Sequence, residues 1–406
     1  MNNVINRKLI AVAISSAIAS GGLITNAAAA DINFSGYGSV RGGMLLDDNF
    51  SLPGLFPYTK DSMDFENESL FALQAAAKLN DKWSATIILQ AKGSNEFDVE
   101  ARWAYVNYKV SPETTLTAGR FALPFFKSSD TKDIGYAHNF ARMPRSVYLD
   151  VDFSAIEGLR LSHSTYIGDG DISLKASYGS WDGDITVASG DTFEAKITDI
   201  FQVSVDYTYD WLSVFAGGFL GTWTTDLTEE YSAPFIGAGF DVNKQSGNIS
   251  IDGASVYNLN KLNPIEDDII YVSVGIGIDY EDILFNVEVA HFGIKDSVDT
   301  LDNSYYVSLG YRFGESVISL VSQGREAEDS ADLDALKGIS DPTINAIVSG
   351  IVTSSGLDVS DFTSNGIHYR YNASPNIAYK AEYTIIDSDF YNDDVGLVSV
   401  GVDFVF

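Results

Sequence analysis

The chain ends in the sequence VSVGVDFVF, residues 398–406, and this stretch decides the fold class. Valine or phenylalanine occupies every even-numbered position, whereas the odd-numbered positions hold serine, glycine, aspartate and valine. A helix would instead repeat its apolar residues every three or four positions. Because successive side chains of a β-strand point to opposite faces, the two-residue period predicts a strand with one apolar face and one mostly polar face.

The same period recurs along most of the chain, for example at 83–92, 201–209 and 272–280. Such segments exceed the roughly five or six residues that are usual in soluble sheets. They match the roughly nine to eleven residues that a tilted strand needs to cross a membrane. We predict sixteen strands, near 32–46, 68–79, 82–93, 97–110, 113–122, 155–166, 171–181, 197–209, 211–223, 268–280, 283–295, 303–313, 315–325, 363–373, 376–387 and 396–406. An even number allows an antiparallel sheet to close into a barrel.

The connections between the segments are alternately short and long. Short ones such as Asn80-Asp81 and Ser111-Pro112 consist of residues that favour turns. The long ones lie near 47–67, 123–154, 182–196, 224–267, 326–362 and 388–395. This asymmetry is typical of outer-membrane proteins, so the predicted fold is an all-β transmembrane antiparallel 16-stranded β-barrel with short periplasmic turns and long extracellular loops.

Three further patterns refine this prediction. Aromatic residues cluster beside the short turns, which indicates an interfacial girdle: Trp83, Tyr108, Tyr209, Trp211, Tyr280, Tyr311, Phe313, Tyr379 and Phe404. Weak alternation from Phe235 to Asp241 predicts a hairpin inside 224–267. A short helix is expected near Asp332 to Gly338, within 326–362.

Composition and the N-terminus indicate an exported protein. Residues 1–30 contain Arg7 and Lys8, an apolar stretch and a run of alanines, and they are predicted to be a signal peptide that is cleaved before the barrel domain, 31–406. The chain has no cysteine, so it holds no disulfide. Its net charge of −31 excludes nucleic acid as a partner because phosphates would be repelled. We expect no cofactor, no metal site and no catalytic residues.

Side chains of the polar parity are expected to line a water-filled lumen, since charges facing lipid would cost roughly 2–4 kcal/mol each. The segment 123–154 is too apolar for a solvated loop, with Phe125, Phe126, Phe140 and Tyr148 among its members. Folding this third loop into the barrel would bury these side chains and narrow the pore.

Four patches of sequence resemble the trimeric sixteen-stranded general porins of Gram-negative outer membranes. They are Phe34-Ser35-Gly36-Tyr37-Gly38, Ala101-Arg102-Trp103-Ala104-Tyr105-Val106-Asn107-Tyr108, Leu116-Thr117-Ala118-Gly119-Arg120 and Val402-Asp403-Phe404-Val405-Phe406. In its fold the resemblance covers the whole mature chain, but in its sequence it is limited to these four patches. It implies a homotrimer and a channel for passive diffusion of small hydrophilic solutes and ions. The expected partners are outer-membrane lipid, lipopolysaccharide and the outer-membrane assembly machinery, which would recognise Phe406.

The resemblance also implies a constriction in which acidic residues of the third loop face basic residues of the wall. Asp130 and Asp133 are the acidic candidates. The basic candidates are Arg102, Arg142 and Arg145 by position, Lys127 from the loop, and Arg41 and Arg160 by parity alone. The chain departs from the family where Leu123-Pro124-Phe125-Phe126-Lys127 replaces the usual acidic loop motif. Glu96 is expected to latch onto a neighbouring protomer, with Arg120 as the receiver.

Several functions stay open at this point. The acidic outer loops, with Glu229 and Glu230 among their residues, predict a modest cation preference. A substrate-selective porin for phosphate or organic anions is the alternative, because Gly119 to Phe125 resembles such channels as well. A non-conducting structural barrel is the third possibility. An enzyme is not expected, since His163 and His291 have the lipid-facing parity and no Gly-x-Ser-x-Gly motif occurs.

Overall fold

The computed structural model describes most of the chain after the predicted signal peptide. The described residues are 31–47, 56–148, 152–186, 192–251, 253–258, 265–295, 301–328, 341–355, 361–387 and 394–406. The signal peptide, residues 1–30, and the helix expected at Asp332–Gly338 therefore lie outside the described residues.

Sixteen antiparallel strands form a closed barrel, which confirms the predicted fold. The barrel strands are β1 Asp31–Leu45, β2 Leu70–Lys78, β3 Trp83–Lys92, β4 Val99–Lys109, β5 Thr114–Ala122, β6 Ala155–Ile167, β7 Gly170–Thr186, β8 Thr192–Tyr209, β9 Leu212–Thr225, β13 Ile265–Tyr280, β14 Ile283–Ile294, β15 Leu301–Phe313, β16 Ser316–Glu328, β17 Phe362–Ser374, β18 Ile377–Asp387 and β19 Val395–Val405. The sheet closes where β1 pairs with β19 from Tyr37 opposite Val405 to Leu45 opposite Leu397. Closure leaves no unpaired sheet edge within the barrel, as a membrane-spanning sheet requires.

The outer face of the barrel is apolar, as the two-residue period predicted. Exposed side chains on it include Phe34, Leu161, Val203 and Leu320, which are 48% to 65% exposed. Their sequence neighbours on the other parity, for example Ser204 and Ser319, are buried in the interior. An apolar belt around a closed sheet is the surface that hydrocarbon requires.

The seven short turns lie at one end of the barrel. Gly168 and Gly314 have positive φ values of 63° and 57° and bend the chain where a side chain would be strained. Most of the aromatic residues predicted beside these turns are exposed there, and several of them pair with one another. Trp83 lies 4.8 Å from Tyr108, and Trp211 lies 6.1 Å from Tyr280, between ring centroids.

One predicted long loop is wrong. The segment 182–196 is mostly strand, because β7 and β8 continue through it and pair as far as Thr186 opposite Thr192. Trp181 faces Ile197 on the inner side, while Asp182 faces Lys196 on the outer side. The charged outer side chains made this hairpin look like a solvated loop in the sequence.

Described parts of two long loops, 224–267 and 326–362, pack against each other, and we call these elements together the cap. Its elements are helix α1 Thr228–Gly237, the small sheet β10 Asp241–Asn243, β11 Asn248–Ile251 and β12 Ala254–Asn258, and helix α2 Pro342–Ser355. Phe235, Ile249, Ile344 and Val348 are buried together in its core. The hairpin predicted from Phe235 is therefore misplaced, because Phe235 belongs to α1 and the extra strands begin at Asp241. Among the described residues, no helix is both long enough and apolar enough to cross a bilayer.

Candidate functional site: the constriction

The third loop leaves β5 after Ala122 and enters the lumen. The Gln202 amide of β8 donates a hydrogen bond to the carbonyl of Pro124 at 2.9 Å. The Ser273 hydroxyl of β13 donates to the carbonyl of Phe125 at 2.6 Å. The Lys127 amide N–H donates to Glu288 Oε1 of β14 at 2.9 Å. The first part of the loop is thus held by the wall from β8 to β14.

The loop then reaches the wall on β16 to β18. Lys380 Nζ donates to the Gly135 carbonyl at 2.6 Å, and Arg370 donates to the His138 carbonyl at 2.7 Å. Further along, the Ser146 N–H donates to Gln323 Oε1 at 2.9 Å. These contacts place the described part of the loop, 123–148, across the barrel interior, as predicted for 123–154.

Aromatic packing fills much of the lumen beside the loop. Phe125 and Phe126 are buried against Tyr271, with ring centroids 4.8 Å and 5.2 Å apart, and Phe125 also meets Phe219 at 5.3 Å. The prediction that polar side chains line a water-filled lumen does not hold for this part of the wall. The inward positions of β7 to β9 and β13 hold aromatic and aliphatic residues, which pair with the apolar side chains of the loop.

Glu68 is the centre of a buried charge cluster that the sequence did not reveal. Its carboxylate lies 2.9 Å from Arg145 and 3.1 Å from Arg142, and it accepts a hydrogen bond from the Tyr58 hydroxyl at 2.6 Å. Burial alone would raise the pKa of Glu68, but Arg142, Arg145 and Arg41 lower it to about 2. The first loop is therefore clamped onto the third loop by a carboxylate that stays charged.

Arg142 is shared between two acids. It lies 3.0 Å from Glu382 of β18 as well as 3.1 Å from Glu68, and its guanidinium stands 5.2 Å from the centre of the Tyr58 ring. Burial lowers the pKa of Arg142, but the two carboxylates outweigh burial and raise it. The charged side chain of Arg142 thus links the third loop to β18 of the wall.

Asp133 faces the wall arginine, as the resemblance implied. Its carboxylate lies 3.3 Å from Arg102 of β4 and 4.0 Å from Lys92 of β3, and Gln90 donates to it at 3.3 Å. Arg102 also donates to the hydroxyl of Ser154 at 2.6 Å. The structure therefore brings together Asp133 and Arg102 as an acidic and a basic side chain on opposite sides of the loop–wall junction.

The remaining candidates lie in three different places. Asp130 pairs with Lys175 of β7 at 2.9 Å, away from Asp133. Arg160 donates to the carbonyl of Ala122 and covers the ring of Phe121, so it supports the start of the loop. Lys127 packs against β13, and its burial lowers its pKa.

A cavity of about 110 Å³ lies between the third loop and the wall of β1 to β3. Arg41 of β1 lines it and lies 3.4 Å from Asp403 of β19. Lys132 and Lys380 line it too, although neither was predicted as a constriction residue. Lys380 and Asp403 have the parity predicted for the lumen, and both lie on the lumen side. Glu68 fell at the start of the predicted strand 68–79, but β2 begins at Leu70, so Glu68 lies in the first loop.

The two latch residues are apart within one chain. Arg120 forms an ion pair with Glu157 on the neighbouring strand β6, on the outer face of the barrel. Glu96 is exposed after the 3₁₀ turn Gly93–Asn95 and has a left-handed backbone, with φ of 49°. Phe406 is 65% exposed, and its backbone exchanges hydrogen bonds with Gly36. Contact between protomers and recognition of Phe406 stay predictions.

No protein-family model and no curated protein sequence matches this chain. Solved structures do match over nearly its whole length. The outer-membrane channel DcaP of Acinetobacter baumannii superposes with a TM-score of 0.56 at 12% identity, covering 94% of this chain and 99% of that one. OmpT of Vibrio cholerae, an outer-membrane protein in a trimer form, gives 0.52 at 13% identity, covering 93% and 100%. The anion-selective porin from Comamonas acidovorans gives 0.53 at 12% identity, covering 93% and 100%.

These likenesses define the class of protein by its fold. The chain is an all-β barrel of sixteen strands closed around an inward-folded third loop, and it shares this fold with solved outer-membrane channels and porins. Two of the three similar proteins are described as a channel and a porin rather than as enzymes. The fold is that of a protein of the Gram-negative outer membrane.

Proposed function

We propose that the protein is a porin that lets small hydrophilic solutes and ions diffuse across the outer membrane. The observation that carries the proposal is the polar cavity of about 110 Å³ between the third loop and the wall, inside a barrel with an apolar outer belt. A closed barrel of this size holds water wherever its side chains do not fill it. The narrow cavity and the aromatic packing beside it support a pore of small conductance.

The test is planar-bilayer recording of the purified, refolded protein. Stepwise current increases of uniform size would support the proposal. A protein that inserts and yet gives no steps would contradict it and support the non-conducting structural barrel instead. Insertion is checked independently by protection of the barrel strands from protease in the same membranes.

Two features of the charge distribution favour opposite ion selectivities. Exposed acidic residues of the long loops, such as Asp226, Glu229 and Glu230, support the predicted cation preference by concentrating cations at the mouth. The basic residues around the cavity favour the second candidate, an anion-selective channel. Reversal potentials in a salt gradient separate the two, and preference set by the mouth should weaken at high salt because exposed charges are screened.

We also propose that the barrel assembles as a homotrimer in outer-membrane lipid. The outer face of β2 to β5 carries the alanines Ala75, Ala85 and Ala118 among larger apolar side chains such as Leu73 and Val106. The same apolar face of each copy could pack against its neighbour in a symmetric assembly. OmpT of Vibrio cholerae, which has this fold, is known in a trimer form.

The predicted latch offers a direct test of how the trimer is held. Glu96→Ala should lower the melting temperature of the trimer if Glu96 binds the neighbouring protomer. Exposed ion pairs typically contribute only about 0.2–1 kcal/mol, so the shift should be small. Unchanged trimer melting would exclude the latch while leaving the trimer itself in place. Arg120 already pairs with Glu157 in its own chain, so Glu96 of a neighbouring protomer would have to compete with Glu157 for Arg120.

A further inference from the structure

The outer face of the barrel carries a groove that the proposed channel function does not use. It crosses β13 to β18, and its volume is about 700 Å³. Val272, Val274 and Val289 line it with outward side chains that are 43%, 47% and 50% exposed. The groove therefore opens on the lipid side of the wall. It lies outside the face of β2 to β5 on which we expect a second copy, so lipid reaches it in the trimer as well.

Gly324 of β16 forms the floor of this outer groove. It pairs with Tyr305 of β15, and a Cβ atom at Gly324 would stand only 2.7 Å from the Tyr305 ring. The ring thus lies over the glycine, along the wall, rather than projecting from it. Tyr305 is 40% exposed, so the groove is a depression in the apolar belt with an aromatic surface at its centre.

The outer groove rises obliquely towards the long loops. Val274 lies six residues from the turn-side end of β13 at Tyr280, whereas Asp387 lies ten residues from the turn-side end of β18 at Ile377. With a strand rise of about 3.4 Å and a tilt of about 40°, these positions stand about 16 Å and about 26 Å above the short turns. The apolar band of such a barrel is about 25 Å tall. One end of the groove therefore lies deep in the hydrocarbon and the other at its boundary.

Carboxylates mark the boundary end of the outer groove. Glu326 and Asp387 line it and are exposed, and among the described residues no lysine or arginine forms an ion pair with either. Arg325 also lines the groove, but it has the inner parity and its guanidinium pairs with the buried Asp302. His291 shares a hydrogen bond of 3.0 Å with its neighbour Asn303. The boundary end thus presents two acids to the headgroup region.

We propose that this outer groove binds one lipid of the surrounding bilayer whose headgroup carries a protonated amine. The apolar end holds an acyl chain, and Glu326 and Asp387 accept charge-assisted hydrogen bonds from the ammonium group. The ring of Tyr305 adds attraction for a cation that comes to lie over it. The same carboxylates repel a headgroup with only a negative charge. The inference goes beyond the proposed function, because it needs the membrane-spanning barrel but not conduction.

The experiment counts the lipids that stay bound to the purified protein by native mass spectrometry in a neutral detergent. The probes are phosphatidylethanolamine, which carries a protonated amine, and phosphatidylglycerol with the same acyl chains, which does not. The unaltered protein should retain one phosphatidylethanolamine at concentrations at which phosphatidylglycerol is released. Equal retention of the two lipids would overturn the proposal.

The double variant Glu326→Gln/Asp387→Asn tests the contact with the headgroup. The concentration of phosphatidylethanolamine for half occupancy should rise at least roughly tenfold, the loss expected for one hydrogen bond to a charged group. The matched control is Asp184→Asn/Glu194→Gln, which removes two exposed carboxylates that face each other on the outer side of the β7–β8 hairpin. It should retain the lipid like the unaltered protein, although it loses the same two charges.

Gly324→Val tests the shape of the groove and serves as a second variant if the acid variant does not fold. A side chain at this position would push the Tyr305 ring off the wall and into the groove, so retention of phosphatidylethanolamine should fall. Ala176→Val adds the same bulk to the outer face of β7 and should leave retention unchanged.

Three further outcomes would overturn the lipid site. Equal losses in the acid variant and its control would show that only the overall charge matters. Unchanged retention in both the acid variant and Gly324→Val would show that the lipid binds elsewhere. Retention of phosphatidylglycerol above phosphatidylethanolamine once Mg²⁺ is added would assign the two acids to a bridging cation. Channel recordings test the proposed function separately, since retention of a lipid does not depend on conduction.

Discussion

Glu68 shows how one side chain can determine the position of a whole loop. It binds Arg142 and Arg145 of the third loop and Tyr58 of the first loop while being almost fully buried. A buried charge of this kind is tolerated only when several partners surround it, and removing one partner leaves the others uncompensated. We therefore regard Glu68 as a positioning residue for the constriction.

Glu68→Gln should release the third loop from the first. Three arginines would lose a shared carboxylate, and breaking a buried pair from one side typically costs about 3–5 kcal/mol. Trypsin should then cut the folded barrel at Arg142, which is buried in the unaltered protein, or at Arg145, which is half-buried there. Glu157→Gln, which removes an exposed carboxylate on the outer face, is the control and should leave the loop resistant. Equal resistance of both variants would show that Glu68 is not the clamp.

The contact of Glu68 with the arginines of the third loop should persist in mild acid. The pKa of Glu68 is lowered from its ordinary 4.5 to about 2, so its contribution is complete above pH 4.5 and is lost as the pH falls through about 2. Pepsin, which works in acid, should therefore leave the third loop intact at pH 3 and cut it near pH 2. Cleavage that already begins at pH 4 would mean that Glu68 has an ordinary pKa.

At the scale of one element, the apolar side chains of the third loop form a packed core with the inner side of the wall. Its Phe125 and Phe126 pack on Tyr271, and Phe153 packs on Trp223 at 5.8 Å. The Tyr148 hydroxyl donates to the buried carboxylate of Glu288 at 2.5 Å, which adds a polar anchor. Apolar burial and a few charged contacts together hold the loop against the wall.

Replacing both phenylalanines should widen and destabilise the passage. Each buried Phe→Ala change typically costs about 3–5 kcal/mol, which is enough to free the loop from the wall. The double variant Phe125→Ala/Phe126→Ala should give larger and noisier single-channel currents. Phe34→Ala removes the same ring from the lipid-facing side, where Phe34 is 65% exposed, and should leave conductance unchanged. Identical currents in the two variants would contradict the role of the aromatic packing.

The whole molecule is a barrel with hydrocarbon outside and a mixed interior. Leu161 and Ser162 of β6 are neighbours in sequence but point to opposite sides of the wall. Leu161 is 48% exposed on the outer belt, and Ser162 is half-buried on the inner side beside Lys175. The difference between these two positions follows from the membrane rather than from local structure.

Arginine at these two positions should have unequal effects. Leu161→Arg places a charge in the hydrocarbon and should lower the free energy of unfolding in lipid by roughly 2–4 kcal/mol. Ser162→Arg places the same charge in the lumen and should cost much less. Urea unfolding of the two variants in the same liposomes provides the measurement. Equal losses would show that this part of the barrel does not face lipid.

Much of the fold could be predicted from the sequence because a strand records its two environments at every second residue. Val398 to Phe406 already shows which face is apolar, and Asn80-Asp81 shows where a strand must turn. The pattern failed where charged side chains cover a strand, as from Asp182 to Lys196. It also failed in the cap, where α1 and the small sheet are held by contacts between distant loops rather than by local periodicity.

The sequence by itself determined the barrel, its strand number and the inward course of an apolar third loop. The family resemblance offered Asp130 and Asp133 as acidic candidates and Arg102 as a basic one, but only the structure pairs Asp133 with Arg102. Only the tertiary structure decided that half of the lumen is packed with aromatic rings, that Glu68 clamps the loop, and that basic residues converge on the remaining cavity. The physical reason is that alternation reports which side of the wall a residue faces, whereas the neighbours it meets across the lumen depend on how a long loop folds over many strands.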